Sequence, residues 1–227
     1  NCDGEVARYK NLTSTFGEKF DTFVDWIVHA LFFLALGYGT AQETGNNTCL
    51  WLGLIGFFSG LFYTAPPFKF SSRKGMGELL IGLNFGPLMV AGSALVQTGQ
   101  LLPEAFLAGI PIGFLIAAVV YMNEFPDYDS DKATGKNTLI VALGPERARA
   151  GYVALITSAF VSIVILAFNG VFPMLSLISL LAIYFGFTAT KTLYKYYNDR
   201  LLQPANWGTI IMHSVTGVLF CIGIWNG

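Results

Sequence analysis

Charged residues are what this sequence has least of. Asp, Glu, Lys and Arg make up 12% of its 227 residues, whereas hydrophobic residues make up 54% and aromatic residues 15%. A soluble domain usually carries about a quarter of its residues as charged side chains. So few charges cannot cover the surface of an ordinary soluble domain. Together with long apolar stretches at residues 23–39 and 107–122, this composition indicates an integral membrane protein.

The sequence also lacks an excess of either charge and any cluster of cysteines. Its formal net charge is -1, which gives no basic surface for nucleic acid, so no nucleic-acid partner is expected. Cys2, Cys49 and Cys221 lie far apart and without the spacing of a metal site. We interpret them as small apolar side chains that fill gaps in packing.

What the sequence does have is a series of apolar segments long enough to cross a bilayer, at about 20 residues each. Seven such segments are found, at residues 23–40, 49–64, 77–96, 106–122, 151–168, 174–190 and 207–224. They predict an all-α integral membrane protein, with a bundle of transmembrane helices that forms a single domain over residues 1–227.

All 13 Lys and Arg residues lie on one side of these predicted spans. They precede the first span and follow the second, fourth and sixth spans: Arg8, Lys10, Lys19; Lys69, Arg73, Lys74; Lys132, Lys136, Arg147, Arg149; Lys191, Lys195, Arg200. Because positive residues stay on the cytoplasmic side of a membrane, we expect the chain to start inside and end outside. Any chemistry is then expected at the cytoplasmic face of the inner membrane.

The loop after the fourth span contains Asn123, Asp127 and Asp131 at intervals of four residues. If the helix continues, these side chains share one face and offer the oxygen ligands that Mg²⁺ prefers. Pro126 permits this only with a kink or as the first turn of a new helix. The alternative interpretation is a solvated acidic loop at a helix end.

The loop after the second span contains Tyr63, Pro66-Pro67, Lys69 and Arg73. The prolines suggest a rigid turn, in which Lys69 and Arg73 could hold a pyrophosphate between them. The alternative is a set of cations that anchors the helix end to anionic lipid.

The acidic segment, with Gly135-Lys136-Asn137-Thr138-Leu139 after it, resembles the second aspartate motif of UbiA-type membrane prenyltransferases. More narrowly, it is similar to the branch that prenylates 1,4-dihydroxy-2-naphthoate in menaquinone biosynthesis. The segment from Tyr63 through Lys69 to Gly77-Glu78 resembles the tyrosine–lysine motif of that branch. Members of the family have nine helices and an earlier aspartate motif, which the start of this chain, at Asp3 and Glu5, matches poorly. We therefore expect two helices and part of that motif to precede Asn1.

The resemblance implies a Mg²⁺-dependent enzyme that transfers a polyprenyl group from polyprenyl diphosphate to an aromatic acceptor within the lipid bilayer. It implies Mg²⁺ ligands at Asn123, Asp127 and Asp131, with Asp3 as a remnant of the first motif. It further implies that substrate is bound by Asn123, Lys69, Arg73 and Lys136, the three cations contacting the diphosphate. The catalytic residues that it implies are Asp127, Asp131, Lys69 and Tyr63, with Tyr63 acting near the diphosphate.

Other functions remain open alongside this one. The chain could prenylate a different aromatic acceptor, or be a lipid-binding relative without activity. A transporter would need ionisable residues near the bilayer midplane. Every Lys, Arg, Asp and Glu here lies at a span end or in a loop, and deeper positions offer His29, His213 and Asn84, which argues against a transporter. A seven-helix receptor usually has its N-terminus outside, opposite to the orientation that the charges predict.

Overall fold

The computed structural model describes residues 38–39, 42, 45, 47–197 and 199–227. The chain divides into two compact units, Asn1–Phe62 and Tyr63–Gly227. The single-domain organisation therefore stays a prediction. Most of the first predicted span, residues 23–40, and the candidate ligand Asp3 lie outside the described residues.

The described residues form helices joined by turns, and none of them lies in a strand. The helices are α1 Thr48–Thr64, α2 Met76–Thr98, α3 Pro103–Asn123, α4 Tyr128–Ala133, α5 Leu139–Leu143, α6 Pro145–Phe168, α7 Met174–Tyr196 and α8 Gln203–Asn226. The first part of α7, Met174–Ala182, is a 3₁₀ helix. Within this part of the chain, five helices (α2, α3, α6, α7 and α8) are long and apolar enough to cross a membrane, while α1 has 17 residues. The predicted all-α integral membrane fold is confirmed, and each of the last six predicted spans coincides with one of these helices.

Proline and glycine set several of the helix boundaries. Helices α3, α6 and α8 each have a proline in their first turn, where the missing amide hydrogen costs nothing. Helix α2 ends at Gly99, whose φ of 72° lies in the left-handed region that favours glycine. The connection between α2 and α3 is therefore a short turn, from Gly99 to Leu102.

Helices α2 and α3 pack against each other backbone to backbone. Gly82 and Gly86 lie four residues apart on α2, and Gly109 and Gly113 have the same spacing on α3. A Cβ atom added at Gly86 would lie 2.5 Å from the carbonyl oxygen of Gly109, and one at Gly113 would lie 2.5 Å from the carbonyl oxygen of Gly82. Such small residues allow membrane helices to approach closely.

The contact with α3 also coincides with a change in the helical geometry of α2. Residues Asn84–Leu88 form a π-helical turn that includes Pro87. The wider turn accommodates the proline, which cannot donate to the carbonyl of the preceding turn. At the start of this turn, the side-chain amide of Asn84 donates to the carbonyl of Leu80 at 2.7 Å.

Buried tyrosines join α3, α6 and α8 in the core of the larger unit. The hydroxyl of Tyr121 donates to the carbonyl oxygen of Ala148 at 2.9 Å, and the hydroxyls of Tyr152 and Thr209 are 2.8 Å apart. All four residues are at most 1% exposed. Because these polar groups satisfy one another away from water, they fix how the three helices face each other.

Candidate active site

The aspartate loop begins where α3 ends, at Asn123. Residues 124–127 form a turn, and α4 starts at Tyr128, two residues after Pro126. The helix therefore does not continue unbroken from Asn123 to Asp131, because Pro126 lacks the amide hydrogen that a continuous helix needs. The amide of Asp131 still donates to the carbonyl of Asp127 at 2.8 Å, so these two residues keep the four-residue helical spacing.

The three aspartates of this loop differ in their surroundings. Asp131 is buried and forms an ion pair of 3.1 Å with Lys136, whose amide also donates to the carbonyl of Asp131 at 2.9 Å. Asp127 and Asp129 are exposed. The structure thus brings the predicted phosphate-binding Lys136 next to the predicted ligand Asp131.

The tyrosine–lysine loop is hydrogen-bonded to the aspartate loop. The amide of Asn137 donates to the carbonyl of Ser72 at 3.2 Å, so the segment after α1 meets the segment after α4. Lys69 adopts a left-handed conformation with φ of 45°, held by a hydrogen bond of 3.0 Å from its amide to the carbonyl of Ala65. The side chains of Lys69 and Arg73 are exposed. Two loops that are distant in the sequence therefore form one end of the larger unit.

Asn123 has a partner that the sequence did not identify. The side-chain amide of Asn206, in the first turns of α8, donates to the side-chain oxygen of Asn123 at 2.9 Å. The side-chain oxygen of Asn206 is buried and has no hydrogen-bond partner among the described residues. The only sequence signal was a polar residue near the start of an apolar segment.

Two further carboxyl groups at this end were also missed as site residues. Glu78, in the first turn of α2, is 6% exposed, and Glu124 follows Asn123 directly. Burial and the nearby carboxylates of Glu78, Asp131 and Asp127 raise the pKa of the Glu124 carboxyl to about 8, while Lys136 opposes that rise. The Glu124 carboxyl is therefore mostly protonated near pH 7, so it adds little negative charge to this end of the unit.

The donor set here fits Mg²⁺, although the described residues hold no group of three His, Cys, Asp or Glu side chains that could bind a metal alone. Mg²⁺ characteristically takes one or two carboxylates and completes its shell with water and substrate phosphates. Asn123, Asp127 and Asp131 supply oxygen donors of that kind, with Asp127 exposed and Asp131 paired with Lys136. Asp3 lies outside the described residues.

Comparison with curated proteins gives relatives that share about 30% identity with this chain. It is 31% identical over 140 residues to the 1,4-dihydroxy-2-naphthoate octaprenyltransferase of Bacillus subtilis, covering 59% of this chain and 45% of the relative. The protein of that name in Escherichia coli is 30% identical over 179 residues, which cover 77% of this chain and 56% of the relative. The chloroplastic 2-carboxy-1,4-naphthoquinone phytyltransferase of Arabidopsis thaliana is 23% identical, with 84% of this chain and 53% of the relative covered.

The chain therefore spans about half the length of these relatives. No solved structure gives a significant match. The profile of the UbiA prenyltransferase family matches residues 6–216, which is nearly the whole sequence. On that match, the chain belongs to the UbiA prenyltransferase family.

Proposed function

We propose that this protein transfers a polyprenyl group from polyprenyl diphosphate to an aromatic acceptor in the membrane, and that the acceptor is 1,4-dihydroxy-2-naphthoate. The observation that supports this proposal most is the hydrogen bond between Asn137 and Ser72, because it joins the loop with the cations to the loop with the carboxylates. Binding of a Mg²⁺-diphosphate needs both kinds of side chain at one place. The names of the relatives support the naphthoate as the acceptor.

The aspartate loop would hold the diphosphate end of the donor. Asn123, Asp127 and Asp131 would bind Mg²⁺, which neutralises phosphate charge and stabilises the leaving diphosphate when bound. Lys69 is exposed and supplies an ammonium group to the phosphate oxygens, and the planar guanidinium of Arg73 can bind two of them at once. Lys136, now paired with Asp131, adds a positive charge beside the same carboxylate.

In the proposed reaction, the C–O bond between the prenyl chain and the diphosphate breaks, and its electron pair leaves with the diphosphate. A carbon of the electron-rich ring attacks the allylic cation and forms the new C–C bond. The ring then regains aromaticity by losing a proton or, at a carboxylated carbon, CO₂. Tyr63 lies within electrostatic range of Glu78 and Glu124, which is consistent with a role beside the charged groups.

The test uses membranes that carry the full-length protein. Given 1,4-dihydroxy-2-naphthoate, a long polyprenyl diphosphate and Mg²⁺, they should form a demethylmenaquinone, which membranes without the protein do not form. Transfer to 4-hydroxybenzoate or homogentisate instead would refute the proposed acceptor and keep aromatic prenyl transfer. Absence of transfer to all three acceptors would count against the enzyme activity itself.

We also propose that the site lies on the cytoplasmic side of the inner membrane. The support is the confinement of Lys and Arg to alternate connections, which include both loops of the site.

A further inference from the structure

Two buried carboxyl oxygens at the candidate active site have no hydrogen-bond partner among the described residues. They are Oε1 of Glu78 and Oε2 of Glu124. A buried acceptor that is left unpaired costs about 1–3 kcal/mol, and more when it is charged. Glu78 is only 6% exposed, so bulk water does not donate a hydrogen bond to its unpaired oxygen. An unpaired group of this kind in a native fold requires an explanation.

Side chains nearby do not supply the missing hydrogen bonds, because the donors close to these oxygens are engaged elsewhere. The hydroxyl of Tyr121 donates to the carbonyl of Ala148, and the ammonium of Lys136 is paired with Asp131. Tyr63 and Tyr121 lie near the two carboxyls, because the charges of Glu78 and Glu124 act on both phenol groups.

The position of the pair relative to the aspartate loop suggests which molecule it meets. Glu124 is within electrostatic range of Asp127 and Asp131 as well as of Glu78. Glu78 belongs to α2, which packs along α3, whereas the aspartates belong to the loop beyond α3. The oxygens of a diphosphate are acceptors and cannot supply the hydrogen that these two oxygens lack, so the group that approaches Glu78 has to be a hydrogen-bond donor next to the diphosphate site.

We propose that Glu78, assisted by Glu124, binds a hydroxyl group of the aromatic acceptor. This inference rests on the function proposed above and identifies a substrate-contacting residue for it. The hydroxyl donates to Oε1 of Glu78, and a dihydroxylated ring places its other hydroxyl toward Glu124. A hydroxyl that donates to a carboxylate releases more electron density into its ring, which makes the ring carbon a better nucleophile. The tyrosine rings offer apolar surfaces beside the acceptor.

The direct test is the substitution Glu78→Gln, which keeps the shape of the side chain and removes its charge. Loss of a hydrogen bond to a charged group corresponds to a rise of about tenfold to a hundredfold in KM for the acceptor. KM for the polyprenyl diphosphate should stay within about twofold. Glu104→Gln is the matched control, since Glu104 is exposed at the start of α3, and both constants should match those of the unsubstituted protein.

A second measurement separates substrate contact from a structural role. The unsubstituted protein should bind 1-hydroxy-2-naphthoate, which lacks one hydroxyl, more weakly than it binds the dihydroxylated acceptor. The Glu78→Gln variant should bind the two acceptors with the same affinity. Binding is followed in detergent by the fluorescence of the naphthalene ring, so this measurement needs no turnover. Glu124→Gln provides a second variant, with a smaller effect of the same sign.

Three results would overturn the inference. The first is that the Glu78→Gln variant binds the acceptor with unchanged affinity. The second is that this substitution lowers the affinity for the mono- and dihydroxylated acceptors by the same factor. The third is weaker binding of Mn²⁺, measured by electron paramagnetic resonance, with normal acceptor binding, which would make Glu78 a cation ligand. Failure of the unsubstituted protein to prenylate any aromatic acceptor contradicts the proposed function instead, and the fluorescence measurement tells the two failures apart.

Discussion

The side-chain amide of Asn206 donates a hydrogen bond of 2.9 Å to the side-chain oxygen of Asn123, which joins the start of α8 to the end of α3. An amide oxygen has two lone pairs, so Asn123 can accept this bond and still bind a cation. The bond orients the amide group of Asn123. Partners that orient a metal ligand in this manner contribute to metal affinity although they do not touch the metal.

The first prediction concerns this pair. Asn206→Ala should raise the Mg²⁺ concentration for half-maximal prenyl transfer by about tenfold to a hundredfold, because Asn123 loses its fixed orientation. A Mg²⁺ titration of activity in membranes measures the effect. Asn169→Ala is the control, because Asn169 is exposed and bonds only within its own helix turn, to Ile165. An unchanged Mg²⁺ requirement in the Asn206 variant would show that the bond is only structural.

The second prediction concerns the carboxylates of the aspartate loop. Asp127→Ala and Asp131→Ala should each abolish Mg²⁺-dependent transfer and leave the protein folded, as judged by its melting temperature in detergent. Asp129→Ala should keep most of the activity, because Asp129 is exposed and lies off the four-residue spacing. If Asp127→Asn retained near-normal turnover, the loop would be an acidic helix cap and the diphosphate would bind elsewhere.

The third prediction concerns the close contact of α2 and α3. Gly113→Ala should destabilise the protein by about 1–3 kcal/mol, because the new methyl group meets the backbone of Gly82, which has no side chain to move aside. Gly217→Ala, in α8 with open space around it, should be neutral or stabilise by up to about 1 kcal/mol through helix propensity. Unfolding in detergent measures both. Equal stabilities for the two variants would contradict the close approach.

The fourth prediction concerns Arg149, whose guanidinium lies between the rings of Tyr194 and Tyr197, at 4.6 and 4.5 Å from their centroids. It also donates to the carbonyl of Tyr194 at 3.1 Å, and so links α6 to α7. Arg149→Lys keeps the charge but loses the planar group, and should cost about 1 kcal/mol of stability. The neighbouring exposed Arg147→Lys should cost nothing measurable.

The fifth prediction concerns the orientation of the chain in the membrane. In a background without native cysteines, single cysteines at Lys74 and Lys132 should react with a membrane-impermeant reagent only from the cytoplasmic side. A cysteine at Gln100, in the turn between α2 and α3, should react only from the opposite side. Labelling of position 132 from outside would remove the basis for a cytoplasmic site.

The transmembrane helices followed from the sequence because each is a continuous apolar segment, and hydrophobicity is a local property. The break at Pro126 could also be predicted, since the missing amide hydrogen belongs to that single residue. The π-helical turn at Asn84–Leu88 was not predicted. It depends on how Pro87 is accommodated against α3, which is a tertiary contact.

The candidate site was predicted only in part for the same reason. The motif residues Asp127, Asp131 and Lys136 lie close together in the sequence, so their proximity could be expected. Glu78 and Asn206 belong to helices that reach the site from elsewhere in the chain. Only the three-dimensional structure shows that Glu78 lies near Glu124 and that Asn206 bonds to Asn123. The roles of all these residues stay predictions until the variants are measured.

The glycine contact between α2 and α3 limits how this site can be re-engineered. Glu78 and Asn123 lie on two helices whose separation is set by backbone atoms, so their spacing cannot be widened by exchanging a side chain at that contact. A mutant library that aims at a larger or smaller acceptor should therefore leave Gly82, Gly86, Gly109 and Gly113 untouched. Its diversity belongs at residues such as Tyr63, where a change of ring size alters the room available and not the distance between the helices.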